Sequence, residues 1–235
     1  MIRLDKYLCD SALMTRKEAS AAIRGKRVTV NGKVEIHSDF KVDVNNDNIY
    51  LSGQRLVYSE FIYIMLNKPD GYISATDDPK EKTVLELLPE EISRKNIFPA
   101  GRLDKNTLGL LLLTNDGVLA HRMLSPKHHV EKKYRFEVDH ELTDQEKSRI
   151  EKGIALEDGY ITKPSEISLD VGNMSGSIVL TEGKYHQIKR MFEAVGNKIT
   201  YLERTNFGGL ILDENLGRGD WRFLTQEEIA LIRTH

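Results

Sequence analysis

Residues 101–117 read Gly-Arg-Leu-Asp-Lys-Asn-Thr-Leu-Gly-Leu-Leu-Leu-Leu-Thr-Asn-Asp-Gly, and this stretch organises the reading of the whole chain. Leu110 to Leu113 form an uninterrupted apolar run between Gly109 and the turn signal Asn115-Asp116-Gly117, as expected of a strand buried on both faces. Just ahead of it, Asp104 follows Arg102 in a short loop. A carboxylate at the mouth of a rigid buried strand is well placed to act as a nucleophile or base. The same spacing also suits an aspartate that bonds its own turn through the amides of Asn106 or Thr107.

Outward from this stretch, the remaining chain has the texture of two units. Toward the N-terminus, Thr15-Arg16-Lys17-Glu18 has capping-box spacing. Ala19, Ala22 and Ile23 then share one face of a helix that Gly25 ends, and an earlier helix is expected over residues 4–12. A strand from Arg27 leads into the turn Asn31-Gly32. Arg16 and Lys17 occupy the first helical turn, where the macrodipole disfavours cations by a few tenths of a kcal/mol, about the size of one surface ion pair. Residues placed against local preference suggest another task, and phosphate contact is the natural one. Residues 46–60 are polar and read as the end of this unit and a linker.

From Phe61 an apolar strand runs to the turn chemistry of Asn67-Lys68-Pro69-Asp70-Gly71. Thr83 to Leu88 reads as a short helix, Val118 to Leu124 as a longer one, and Tyr134 opens a strand to Val138. In Leu180 to Gly196 a strand end, a glycine turn and a helix follow one another, with Met191 and Phe192 expected in the core beside Lys189 and Arg190. The last helix starts at the capping box Thr225 to Glu228, and Trp221 is expected in the core.

Composition limits the classes of function. The 235 residues are 40% hydrophobic and 30% charged, with a formal net charge of −2. No apolar run approaches the ~20 residues that span a bilayer, the N-terminus lacks a signal-peptide layout, and a cytoplasmic location is expected. Cys9 is the single cysteine, which excludes an intrachain disulfide or a cysteine-rich zinc site. His128 and His129 are adjacent and point opposite ways in an extended segment, so they do not form a two-histidine metal face. No metal or cofactor is expected. Charge is segregated: residues 1–34 hold eight Lys/Arg against three Asp/Glu, and residues 136–160 hold three against eight. Such segregation can give a near-neutral protein a basic face.

The run from Ala100 to Gly117 resembles the catalytic motif of the pseudouridine synthases that modify ribosomal RNA, within them the small-subunit (16S) synthase A branch. Further resemblances extend over most of the chain. Residues 1–45, with Arg3-Leu4-Asp5-Lys6-Tyr7-Leu8, the Thr15 box and Val28-x-Val30-Asn31-Gly32, are similar to the S4 RNA-binding domain. Lys68-Pro69 matches the family's first motif, and Lys132-x-Tyr134 the second. Gly183-Lys184-x-His186-Gln187-Ile188-Lys189-Arg190-Met191 matches the third. The resemblance implies an α+β protein. It would have a small S4-like α/β domain with its linker at residues 1–58 and a larger pseudouridine synthase domain at 59–235, built on a mostly antiparallel sheet with flanking helices.

It also implies a chemistry: isomerisation of one uridine of 16S ribosomal RNA (the position-516 type) after the base leaves its stack, at a cost of a few kcal/mol. Asp104 would be the catalytic aspartate, as nucleophile at C1′ or base at C2′, and Tyr134 would stack on the target base. Lys189 would pair with Asp104, where many relatives carry Arg; Lys keeps the charge but loses bidentate geometry. Arg102 would fill the vacated space in the RNA and Leu180 would line the floor. Arg16, Lys17, Lys132 and Arg190 complete the expected RNA contacts. The expected partner is 16S rRNA or a small-subunit assembly intermediate, met by a monomer and without a membrane. Two rivals are a large-subunit 23S enzyme and a non-catalytic S4-type RNA-binding or ribosome-assembly protein. Intact Asp104, Tyr134 and a basic residue at 189 argue against the second.

Overall fold

The computed structural model describes residues 1–234. Two compact units form, one from Met1–Ile62 with Pro89–Asn96, the other from Tyr63–Leu88 with residues 97–234.

In the first unit β1 (Ile2–Arg3) leads into α1 (Leu4–Ser11) and α2 (Arg16–Arg24). The Thr15 hydroxyl accepts from the Glu18 amide and the Glu18 carboxylate accepts from the Thr15 amide, so both ends of the capping box close. Then come β2 (Val28–Val30), β3 (Lys33–Val34), β4 (Lys41–Val42), β5 (Ile49–Leu51) and β6 (Gln54–Leu56). Four of these pair antiparallel in the order β3-β2-β5-β6, while β4 pairs with β1. Leu4, Tyr7, Leu8, Ala19, Ala22, Ile23, Val28 and Ile49 form the core. The short helix α3 (Glu90–Ser93) also belongs to this unit, and Lys95 closes its segment by donating to the Cys9 and Met14 carbonyls.

The linker expected at residues 46–60 is largely ordered structure. β5 and β6 lie within it, joined at Ser52-Gly53 with φ of 50° and 85°, and the Tyr58 ring meets that of Tyr7 at a tilt, with centroids 5.2 Å apart. Three-residue strands between Asn/Gly turns are too short to show a period-two pattern, so their polarity resembled that of a linker.

The second unit is built on one nine-stranded sheet. It contains β7 (Tyr63–Lys68), β8 (Phe98–Pro99), β9 (Leu108–Thr114), β10 (Lys132–Val138), β11 (Glu166–Leu169) and β12 (Ser175–Leu180). β13 (Ile199–Phe207), β14 (Leu210–Ile211) and β15 (Trp221–Phe223) complete it. The path runs β11-β12-β10-β13-β9-β7-β15, with β8 on β9 and β14 on β13. Every pair is antiparallel except β13 with β9. Leu110 to Leu113 are fully buried in β9, as a central strand covered on both faces requires. Helices α4 (Gly117–Leu124), α5 (Asp144–Glu151), α6 (Gln187–Glu193) and α7 (Gln226–Arg233) accompany the sheet. Among the described residues no helix is long and apolar enough to cross a membrane.

Some sequence expectations shift. β7 continues through Asn67 and Lys68 rather than stopping before them, and β10 opens at Lys132 rather than at Tyr134. Trp221 is only half-buried, because β15 is the edge strand and its indole meets Phe223 edge-on rather than entering the core.

Candidate active site

Asp104 does not spend its carboxylate on its own turn. Oδ2 accepts from the Lys189 ammonium at 2.9 Å, and His186 Nε2 stands 3.5 Å from Oδ1. The turn closes through backbone instead, the Thr107 amide donating to the Asp104 carbonyl. Lys189 also donates to the Asn106 side-chain oxygen, so one ammonium holds two points of the loop.

That loop is anchored from several sides. Ser74 Oγ donates to the Leu103 carbonyl while the Leu103 amide donates back to it, both at 3.0 Å. Beneath, fully buried Lys68 donates to the carbonyls of Pro69, Lys105 and Thr107 at 2.9–3.0 Å. Three carbonyls match the three donors of an ammonium, so Lys68 is a pin under the loop rather than a ligand for substrate. Positioning of this kind holds a reacting group within the small tolerance catalysis requires.

Burial pushes the Lys68 pKa down to about 8, against the opposing pull of the Asp70 and Asp104 charges. In the unfolded chain the ordinary value is 10.5. Between these values the unfolded chain holds more protons, so the contribution of Lys68 to stability rises with pH across this window and is least favourable below about 8. Lys68→Met removes that dependence. Urea unfolding of both proteins from pH 7.5 to 10 is expected to show the deficit of the variant growing with pH. A constant difference would mean that the ammonium is not held at a depressed pKa.

Glycines shape both ends of the segment that carries Asp104. Gly101 has φ of 91°, and Gly109 has φ of 93° where β9 runs beside β13. A Cβ on Gly109 would lie 2.3 Å from the Arg204 carbonyl oxygen, so only glycine admits this close approach.

Tyr134, Lys132 and Phe136 lie on the buried face of β10, and Leu180 pairs with Lys132 across β12. Irregular register at Lys133/Tyr134 marks a bulge, a device that re-aims a side chain near a site. Phe136 meets Phe192 of α6 with ring centroids 4.9 Å apart, so the helix bearing Lys189 covers the face that bears Tyr134. Leu180 is buried.

The expected RNA contacts divide. Arg102 is exposed beside Asp104, and Arg16 and Lys17 are exposed on the first turn of α2 in the other unit. Lys132 turns inward: its ammonium donates to the Val130 carbonyl at 2.8 Å and lies 5.6 Å from the Phe207 ring centroid. Burial pushes its pKa down to about 8, and the nearby Arg204 charge adds to the fall. This geometry supports a packing role for Lys132 rather than phosphate contact. Arg190 is paired with Asp158 at 2.7 Å and donates to the Tyr185 carbonyl, which braces the loop ahead of α6.

Several neighbours of the site had no role assigned to them in the sequence analysis. His186 adopts a left-handed backbone, φ 49° and ψ 32°, at a cost of about 1 kcal/mol for a non-glycine residue. Glu182 is buried and accepts from Tyr160 Oη, the Lys163 amide and Gln187 Nε2 at 2.6–2.9 Å. Arg204 is buried opposite Tyr134, donating through Nε to the Leu110 carbonyl and stacking 4.7 Å over Phe207. Its place at the inward phase of β13, two residues after Leu202, was the available signal.

The arrangement offers an ion-paired carboxylate in an anchored loop, an exposed arginine beside it and an aromatic on the buried face of β10. Residues 62–194 match the family described as RNA pseudouridylate synthase, and residues 2–48 match the S4 domain. The chain is similar to an RNA pseudouridine synthase, YtzG, of Bacillus subtilis (strain 168), with 44% identity over 98% of each chain. It is 40% identical to ribosomal small subunit pseudouridine synthase A of Escherichia coli (strain K12), over 98% of this chain and 100% of the relative. A crystal structure of a pseudouridylate synthase superposes with a TM-score of 0.70 at 36% identity, covering 99% of this chain and 100% of the other.

Proposed function

The chain belongs to the RNA pseudouridylate synthase family, and from that premise we propose that it converts one uridine of 16S ribosomal RNA to pseudouridine, with Asp104 as the catalytic carboxylate. The observation that carries the substrate is the full-length similarity to the small-subunit enzyme of Escherichia coli. The ion pair of Asp104 with Lys189 supports the chemistry.

The target nucleotide leaves its stack, with Arg102 filling the space and Tyr134 taking one face of the uracil. The N1–C1′ bond breaks, the uracil turns, C5 bonds to C1′, and the proton lost from C5 is balanced by the one gained at N1. Lys189 engages Oδ2, leaving Oδ1 for attack at C1′ or proton removal at C2′. The exposed Arg16 and Lys17 hold RNA phosphates from the S4 unit, in keeping with a cytoplasmic enzyme that acts as a monomer on rRNA or an assembly intermediate.

Mapping of pseudouridine in 16S and 23S rRNA after incubation with the protein tests this reading. One new site in 16S and none in 23S is expected. A site in 23S alone would overturn the substrate, and no site in either RNA or in small-subunit assembly intermediates would overturn the activity.

A further inference from the structure

Tyr185 stands out among the side chains near Asp104 because it is 72% exposed, while its ring lies flat on that of His186 with centroids 3.9 Å apart and an interplanar angle of 16°. His186 in turn reaches to 3.5 Å from Asp104 Oδ1. A stack of two rings therefore leads from the carboxylate to solvent, ending in a free aromatic face.

This stack is held rather than floppy. Glu182 fixes Gln187 from below, the Gln187 side-chain oxygen accepts from the Lys184 amide, and Arg190 holds the Tyr185 carbonyl. The left-handed backbone at His186 turns the chain sharply between Tyr185 and α6. A residue kept in a sparsely populated conformation by its surroundings is commonly part of a working site. An exposed aromatic face backed by a second ring suits a ligand whose units carry flat π-faces.

We propose that Tyr185, backed by His186, is a stacking platform for a nucleotide neighbouring the target uridine, and so helps select the RNA segment presented to Asp104. The proposal rests on the reading of the chain as an rRNA-modifying enzyme. Tyr134 holds the target base; Tyr185 is outside that pocket and receives a flanking base. Stacking tolerates any base, so this platform favours an unpaired neighbour over a paired one rather than a particular letter.

The test compares wild type with Tyr185→Ala, Tyr185→Phe and Tyr185→Trp on a 16S rRNA transcript. It measures RNA dissociation constants, steady-state turnover and thermal unfolding. Loss of one base–aromatic stack is expected to raise Kd and KM about tenfold in Tyr185→Ala. The kcat should stay within about twofold and Tm should not move. Phe and Trp should restore binding, and the introduced indole should be quenched as RNA binds. Unchanged Kd in Tyr185→Ala overturns the proposal. So does a joint fall of kcat and Tm that Phe does not rescue, because that is a structural role. Wild-type protein that binds the transcript without converting any uridine overturns the activity instead, and the Kd ratio still decides the stacking.

Discussion

Asp104→Asn is expected to lower pseudouridine formation by on the order of 10⁴-fold or more, the scale seen when a residue central to bond making is removed. The asparagine is nearly isosteric but supplies neither a nucleophile nor a base. The fold should survive. Asp104 and Lys189 are both partly solvated, so losing their ion pair costs about 1 kcal/mol or less. Lys189 also keeps its bond to Asn106. RNA affinity should stay near wild type, because the exposed Arg102, Arg16 and Lys17 are untouched. Quantifying pseudouridine in 16S rRNA beside Kd and Tm checks all three. Turnover within tenfold of wild type would remove Asp104 from the chemistry. Loss of activity together with a large fall in Tm would show that the carboxylate is structural. The variant should also lower the Lys68 pKa further, since the Asp104 charge opposes the effect of burial there.

Gly109→Ala is expected to be the most damaging small change to stability. Its Cβ would meet the Arg204 carbonyl oxygen at 2.3 Å and the Glu203 side chain at 2.8 Å, at a φ of 93° that disfavours any L side chain. Relief requires moving backbone, since the nearest atom is the main chain of the neighbouring strand. Backbone strain of about 1–2 kcal/mol and overpacking of about 1–3 kcal/mol suggest a loss of about 3 kcal/mol. For a chain of this size that corresponds to a Tm lower by about 6–12 °C. The parallel contact of β9 with β13 also joins the strand that follows Asp104 to the strand that pairs with the Tyr134 strand. Activity should therefore fall even below the melting range. A Tm within about 2 °C of wild type would mean that β9 and β13 can separate without cost.

Local patterns were legible wherever one element carries its own signal. The Thr15 and Thr225 boxes are visible because a cap and its reciprocal acid lie three residues apart. The apolar run of β9 is visible because both faces of a central strand need covering. Asp104 was legible through its motif, but the alternative of a self-bonded turn stood until Lys189, 85 positions away, took its carboxylate. Lys132 shows the opposite case: the same letter suits a phosphate contact or an inward ammonium, and only the burial of β10 separates them. The strands at residues 49–56 were missed because three-residue strands between polar turns carry no period.

The sequence by itself determined the capped helices, the buried central strand and the family, since each rests on spacing along one segment. Tertiary structure alone decided that Lys68 pins the Asp104 loop from below, that Gly109 lets two distant strands touch, and that Tyr185 stays in solvent against His186. Those outcomes depend on which residues far apart in the chain share a few cubic ångströms of space, and local propensity carries no record of that.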